Sequence, residues 1–165
     1  MEERYTRLFS LPENLYSAGA PVMIAAGALL KDNQTGKVLA QLKLRSLVDQ
    51  KVKAVKVKIA PLDMVGKPLG ETVDHLYLDL NASRDVEFGQ KVPIPLPDAT
   101  TRGFQASVLE VVFADNTLWA AGDAPWEPLS APVPLAQALA DDELVKQYRI
   151  QYGEDSVNLF HPERD

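Results

Sequence analysis

The sequence predicts an all-β protein, an antiparallel sandwich of about seven strands. Three observations carry this. Val38, Ala40, Leu42 and Leu44 alternate with Gln41, Lys43 and Arg45, and Val55, Val57 and Ile59 alternate with Lys56 and Lys58. Period-two patterning gives each run one apolar face and one polar face. Apolar runs then recur between Gly, Pro, Asn and Asp clusters at spacings of roughly ten residues. Finally, the period turns helical only in the last part of the chain.

Residues 1–21 read as an irregular arm that caps the sandwich. Its apolar residues, Tyr5, Leu8, Phe9, Leu11, Leu15 and Tyr16, keep no clean period, and Pro12 and Pro21 interrupt them. The sandwich is expected over 22–121. Val22–Leu30 is a strand buried on both faces, and Asp32–Gly36 is a hairpin loop in which Gly36 takes positive φ. The runs at 38–45 and 55–59 are expected to pair side by side, joined by 46–52. Pro61 and the change of phase to Leu62 predict a bulge near Ala60–Pro61. Asp63–Lys67 is a turn, with Asp bonding its own backbone and Gly66 supplying the φ.

Leu76, Leu78 and Leu80 are expected to face inward from the next strand. Val86–Leu96 follows, with Val92, Ile94 and Leu96 inward and Pro93, Pro95 and Pro97 marking a sheet edge. Phe104–Phe113, the turn at Ala114–Thr117 and Leu118–Ala121 complete the sandwich. Residues 122–134 are a Pro-rich linker or a strap across it. Residues 135–165 read as an acidic helical tail, with Asp141 as N-cap and Lys146 and Arg149 near the helix end. The closing HPERD carries no stop signal, so the chain reads as cut from a longer protein.

Composition sets the limits on function. The chain has 165 residues and is 46% hydrophobic, which suits one globular domain. It has no Cys, which excludes disulfides, thiol catalysis and Cys-ligated zinc. The net charge is −6, and residues 141–165 hold seven acids against three bases. No basic stripe suits nucleic acid. No apolar run is long enough to span a bilayer, and the start lacks the apolar core of a signal peptide. The expected location is therefore cytoplasmic, or the cell envelope if the chain is a piece of a longer one.

Leu42 to Trp119 resembles the FxLYD-type bacterial immunoglobulin-like domains. Val55–Lys67, ending Leu62-Asp63-Met64-Val65-Gly66-Lys67, is similar to the family's strand closing on Tyr-Asp-x-x-Gly-Lys, with Leu62 in place of Tyr. Leu80–Phe88 stands where the family has a leucine, a turn and a Phe strand, but lacks that turn's Pro-Gly. Val112–Trp119 is similar to its closing hairpin. The resemblance covers about half the chain. It implies an immunoglobulin-like sandwich, no catalytic residues and no cofactor. It points to a non-catalytic protein-interaction or scaffolding module of a larger bacterial protein.

Candidate sites follow from residue types. Lys43, Arg45, Lys56 and Lys58 would line one exposed face and dock an acidic partner, such as the chain's own tail. Trp126, Trp119 and Tyr16, with Tyr77, would form an aromatic platform for sugar rings, the alternative reading as a carbohydrate-binding module. A small hydrolase would need two or more of Asp63, Asp74, Asp79 and Asp85 in one cleft. Asp63, Asp85 and Asp115 would be loop ligands for calcium, although Asp also favours turns for its own backbone bonds. His75 and His161, the only histidines, form no catalytic arrangement with a carboxylate, and His75 is expected to be an exposed strand residue. No catalytic, cofactor or metal site is assigned.

Overall fold

The computed structural model describes residues 4–128; the expected helical tail and residues 129–134 of the linker lie outside them. The strands are β1 (Tyr5–Ser10), β2 (Leu15–Tyr16), β3 (Val22–Asp32), β4 (Val38–Ser46), β5 (Val52–Leu62) and β6 (Val73–Tyr77). They continue with β7 (Glu87–Phe88), β8 (Pro93–Pro95), β9 (Gly103–Phe113), β10 (Leu118–Ala120) and β11 (Glu127–Pro128). No helix occurs among the described residues, and none there is long and apolar enough to cross a membrane.

The strands form two antiparallel sheets. The first runs β11-β2-β3-β4-β7, with β1 also on β3 and β8 also on β4. Its two edges are split columns. β1 pairs with the late part of β3 and β2 meets it at Ile24, while β8 pairs at Leu39–Gln41 of β4 and β7 at Leu44–Arg45. The second sheet runs β10-β9-β5-β6. The core lies between the sheets. Ile24, Leu29, Val38, Leu42, Leu44 and Ile94 meet Val55, Val57, Ile59, Phe104, Val108 and Val111, all essentially excluded from solvent. Fully burying one such side chain is worth about 1.5–3 kcal/mol, so this layer outweighs any single surface contact.

The β3–β4 hairpin is as expected: β3 is buried on both faces for most of its length, and Gly36 has φ +76°. The turns at 63–67 and 114–117 also form as read. Asp63 Oδ1 accepts from the N–H groups of Val65 and Lys67 at 2.9 Å. Asp115 Oδ1 accepts from the Thr117 N–H at 3.0 Å, and Asn116 takes φ +70°.

Several expectations are corrected. β4 and β5 are not neighbours: β4 lies between β3 and β7/β8, and β5 between β9 and β6. Their apolar faces meet across the core, an arrangement that gives the same alternation as side-by-side pairing. Residues 47–51 carry the chain between the sheets, held where the Leu47 N–H donates to the Pro21 carbonyl at 2.9 Å. The expected arm is two strands of the first sheet, interrupted at Pro12. The expected strand at 86–96 is split by Gly89, whose φ is +91°. Ile94 and Leu96 are buried there, Pro93 and Pro95 face out as an edge, and Val92 is exposed rather than inward.

β6 has the opposite phase to that expected. Tyr77 is 4% exposed, whereas Leu76 and Leu78 are 53% and 61% exposed. The strand stops at Tyr77, and Asp79 at φ +56° resets the phase so that Leu80 packs on the core. Ala60 and Pro61 pair regularly with Gln105 and Phe104; the register shifts lie instead at Lys53 of β5 and Leu109 of β9. Pro61 is tolerated because it flanks the end of β6, where its carbonyl accepts from the Leu69 N–H at 3.0 Å.

Candidate functional site

β10 is short. It pairs with β9 only from Glu110 to Val112, and the Ala121 N–H adds one bond to the Leu109 carbonyl at 2.9 Å. The chain then crosses to the first sheet, where β11 pairs with β2. Gly103–Val108 of β9 is thus paired with β5 on one side, and among the described residues no strand pairs with it on the other. Such an edge presents unpaired backbone donors and acceptors.

A groove of about 630 Å³ lies along this stretch. Phe9, Leu11, Pro12 and Leu15 of the split N-terminal column form one wall, Phe104–Ser107 another, and Trp126 and Pro128 the approach from β11. The Phe9 and Phe104 rings meet edge-on with centroids 5.4 Å apart. Gly103 lies against the same Phe9 ring, where a Cβ would make ordinary van der Waals contact at 3.4 Å. β5 adds Ala60, Leu62 and Lys58, the last being the one charged lining residue among those described. The groove is therefore an apolar slot beside an open strand edge, suited to an extended apolar chain.

The cationic residues proposed from sequence do not share a face. Lys43 and Arg45 lie on the first sheet, and both face Glu87. The Arg45 guanidinium donates to its carboxylate at 2.7 Å, and Lys43 lies at 3.9 Å. Lys56 lies on the second sheet, 3.9 Å from Asp74, and Lys58 belongs to the groove wall. Three of the four thus have an acidic neighbour within the domain. Part-exposed pairs of this kind contribute only about 0–1 kcal/mol.

The aromatic set is also divided. Trp126 lines the groove. Trp119 packs against the core from β10. Tyr16 is buried at 4% exposure, and its hydroxyl accepts from the Gly19 N–H at 3.2 Å, so its ring is not a surface platform. Tyr77 is buried as well, and His75, expected to be exposed, is half-buried because its ring packs edge-on against Tyr77 at 4.6 Å. Burial lowers the His75 pKa and raises that of Tyr77. None of Asp63, Asp74, Asp79, Asp85 or Asp115 lines the groove. Among the described residues no three His, Asp or Glu side chains are grouped to hold a metal ion. The Thr117 hydroxyl and N–H hold the Asp115 pKa below its usual range, which fits an Asp engaged in its own turn.

Sequence reading missed Phe9, Leu11, Leu15 and Phe104 as groove residues. The available signal was a length mismatch: the final strand, 118–121, is too short to cover the run at 104–113. Scans against protein-family models, curated proteins and solved structures find no match.

Proposed function

We propose that this chain is an immunoglobulin-like, non-catalytic interaction module of a larger bacterial protein, and that it docks an extended apolar strand in the groove. The observation that carries the docking is the edge of Gly103–Val108, which no strand among the described residues pairs, beside an apolar slot. Main-chain bonds to an open edge give affinity, and alternate side chains seated in a groove give selectivity. The immunoglobulin-like reading is supported by the strand order, with β3, β4 and β7/β8 facing β6, β5, β9 and β10. It is further supported by the resemblance of Val55–Lys67 to FxLYD-type domains. A cytoplasmic location is part of the same reading.

The test is a library of seven- to nine-residue peptides with alternating apolar residues, read by Trp126 fluorescence in a Trp119→Phe background. It is run on the full chain and on the same chain carrying Val133→Glu, which places a charge in the apolar sequence that follows Pro128. Saturable binding that Ala60→Glu weakens at least tenfold is expected. Silence in both chains would discard the docking reading. A sugar that quenches Trp126 while every peptide is silent would favour the carbohydrate-binding alternative.

A further inference from the structure

We infer that the groove's resident strand is the chain's own segment Leu129-Ser130-Ala131-Pro132-Val133-Pro134-Leu135, added along Gly103–Val108 as a self-complementing edge. This rests on the groove being a strand-docking site. A partner strand must then displace the segment, which makes it a built-in competitor.

The tether comes first. β11 ends at Pro128, and both Pro128 and Trp126 line the groove. The segment that follows is therefore tethered to a residue of the groove, and a short tether supplies an effective concentration in the millimolar range. The side-chain pattern comes second. Leu129, Ala131, Val133 and Leu135 alternate with Ser130, Pro132 and Pro134, so one apolar face would turn to the groove.

The domain already contains the same device. In Val92-Pro93-Ile94-Pro95-Leu96, the strand β8 pairs with β4 at Pro93–Pro95. There Ile94 is 1% exposed and the flanking prolines face outward. Alternate prolines close an edge, because they cannot donate to a further strand. Pro132-Val133-Pro134 repeats Pro93-Ile94-Pro95 in spacing and character.

Length and charge agree. Seven extended residues reach roughly 23 Å, and the six residues of the open edge span roughly 20 Å. Residues 129–140 carry no charge, as an apolar slot requires.

Amide hydrogen exchange on the full chain tests this, with the amides of Gly103–Val108 that face β5 as internal references. In the unaltered chain, the amides facing the groove should be protected at least tenfold relative to those in the Val133→Glu chain. Gln137→Glu, which adds the same charge outside the segment, should leave them protected. The peptide LSAPVPL, added in trans, should bind the Val133→Glu chain more tightly than the unaltered one. Fast exchange in the unaltered chain, with equal peptide binding to both chains, would overturn the self-complementing strand and leave the docking groove standing. Fast exchange with no peptide binding to either would overturn both. Protection that grows with protein concentration would assign the occupant to a second copy and overturn the intramolecular proposal.

Discussion

The Phe9 ring meets the Phe104 ring edge-on, with centroids 5.4 Å apart and planes inclined at 61°. One belongs to the first strand of the chain and the other to the start of β9, so the contact joins the N-terminal column to the second sheet beside the groove. Phe104 is 1% exposed. Phe104→Ala should cost about 3–5 kcal/mol, as for large-to-small changes in a closed core. Phe9→Ala, at a half-buried site, should cost less. The double variant should recover about 0.5–1.5 kcal/mol of coupling, the worth of an edge-to-face pair beyond its area. Urea titration of the four proteins measures this, and strict additivity would show that the rings do not act together.

Gly89 separates β7 from β8 and is confined on two counts. Its φ is +91°, and an added Cβ would stand 3.1 Å from the Leu42 carbonyl oxygen, the Leu44 Cδ1 and the Tyr77 Cε1. Gly36 also has positive φ, +76°, but faces open space. Gly36→Ala should therefore show only the backbone cost of about 1 kcal/mol. Gly89→Ala should add to that roughly 1–3 kcal/mol of overpacking. Thermal unfolding of the two variants separates the effects, and equal losses would mean that the Tyr77 and Leu44 side chains yield freely.

The sandwich class was legible because alternation and turn chemistry are local. Val38–Leu44 states its own buried face, and Asp63 and Asp115 organise their own turns. Sheet membership is not local. Leu42 and Val57 carry the same pattern whether their strands are neighbours or face each other across the core, so alternation alone does not separate β4 from β5. Phase failed at β6 because Leu76 and Tyr77 both qualify as core residues. Only the space beside Phe88, whose ring lies edge-on to Tyr77 at 6.1 Å, selects the tyrosine. The groove was not legible for a related reason. It arises from what β10 leaves uncovered, a relation among Phe9, Phe104 and Trp126 that no sequence window contains.

Arg4 fastens the start of β1 to the β3–β4 hairpin by donating to the buried Asp32 carboxylate at 3.0 Å. That guanidinium, helped by the Gln34 N–H, pulls the Asp32 pKa down to about 2. A carboxylate with a depressed folded pKa contributes stability that is fully present above its unfolded value of about 3.9. The contribution is lost as pH falls through about 2. Asp32→Asn should therefore flatten the acid limb of the stability curve between about pH 4 and pH 2. Arg4→Met should remove only part of that slope, because the Gln34 N–H still donates to Asp32 Oδ1 at 2.9 Å. Urea midpoints at half-unit pH steps give the curves. An unchanged acid slope in Asp32→Asn would place the acid sensitivity elsewhere.

Tyr77 is the large aromatic of β6, and its ring is held by contacts that need no hydroxyl. It lies edge-on to His75 at 4.6 Å and to Phe88 at 6.1 Å. Its hydroxyl oxygen is buried with no hydrogen-bond partner among the described residues, and burial raises its pKa. A buried donor left without a partner costs about 1–3 kcal/mol of desolvation. Tyr77→Phe keeps the ring contacts and removes that cost, so it should raise stability by about 1 kcal/mol. Tyr77→Leu, which loses the ring, should lower stability. Chemical denaturation decides between the two accounts of this residue. A gain for phenylalanine identifies packing against Phe88 as the reason the tyrosine is inward, whereas a loss of more than about 1 kcal/mol would show that the hydroxyl is bonded in solution.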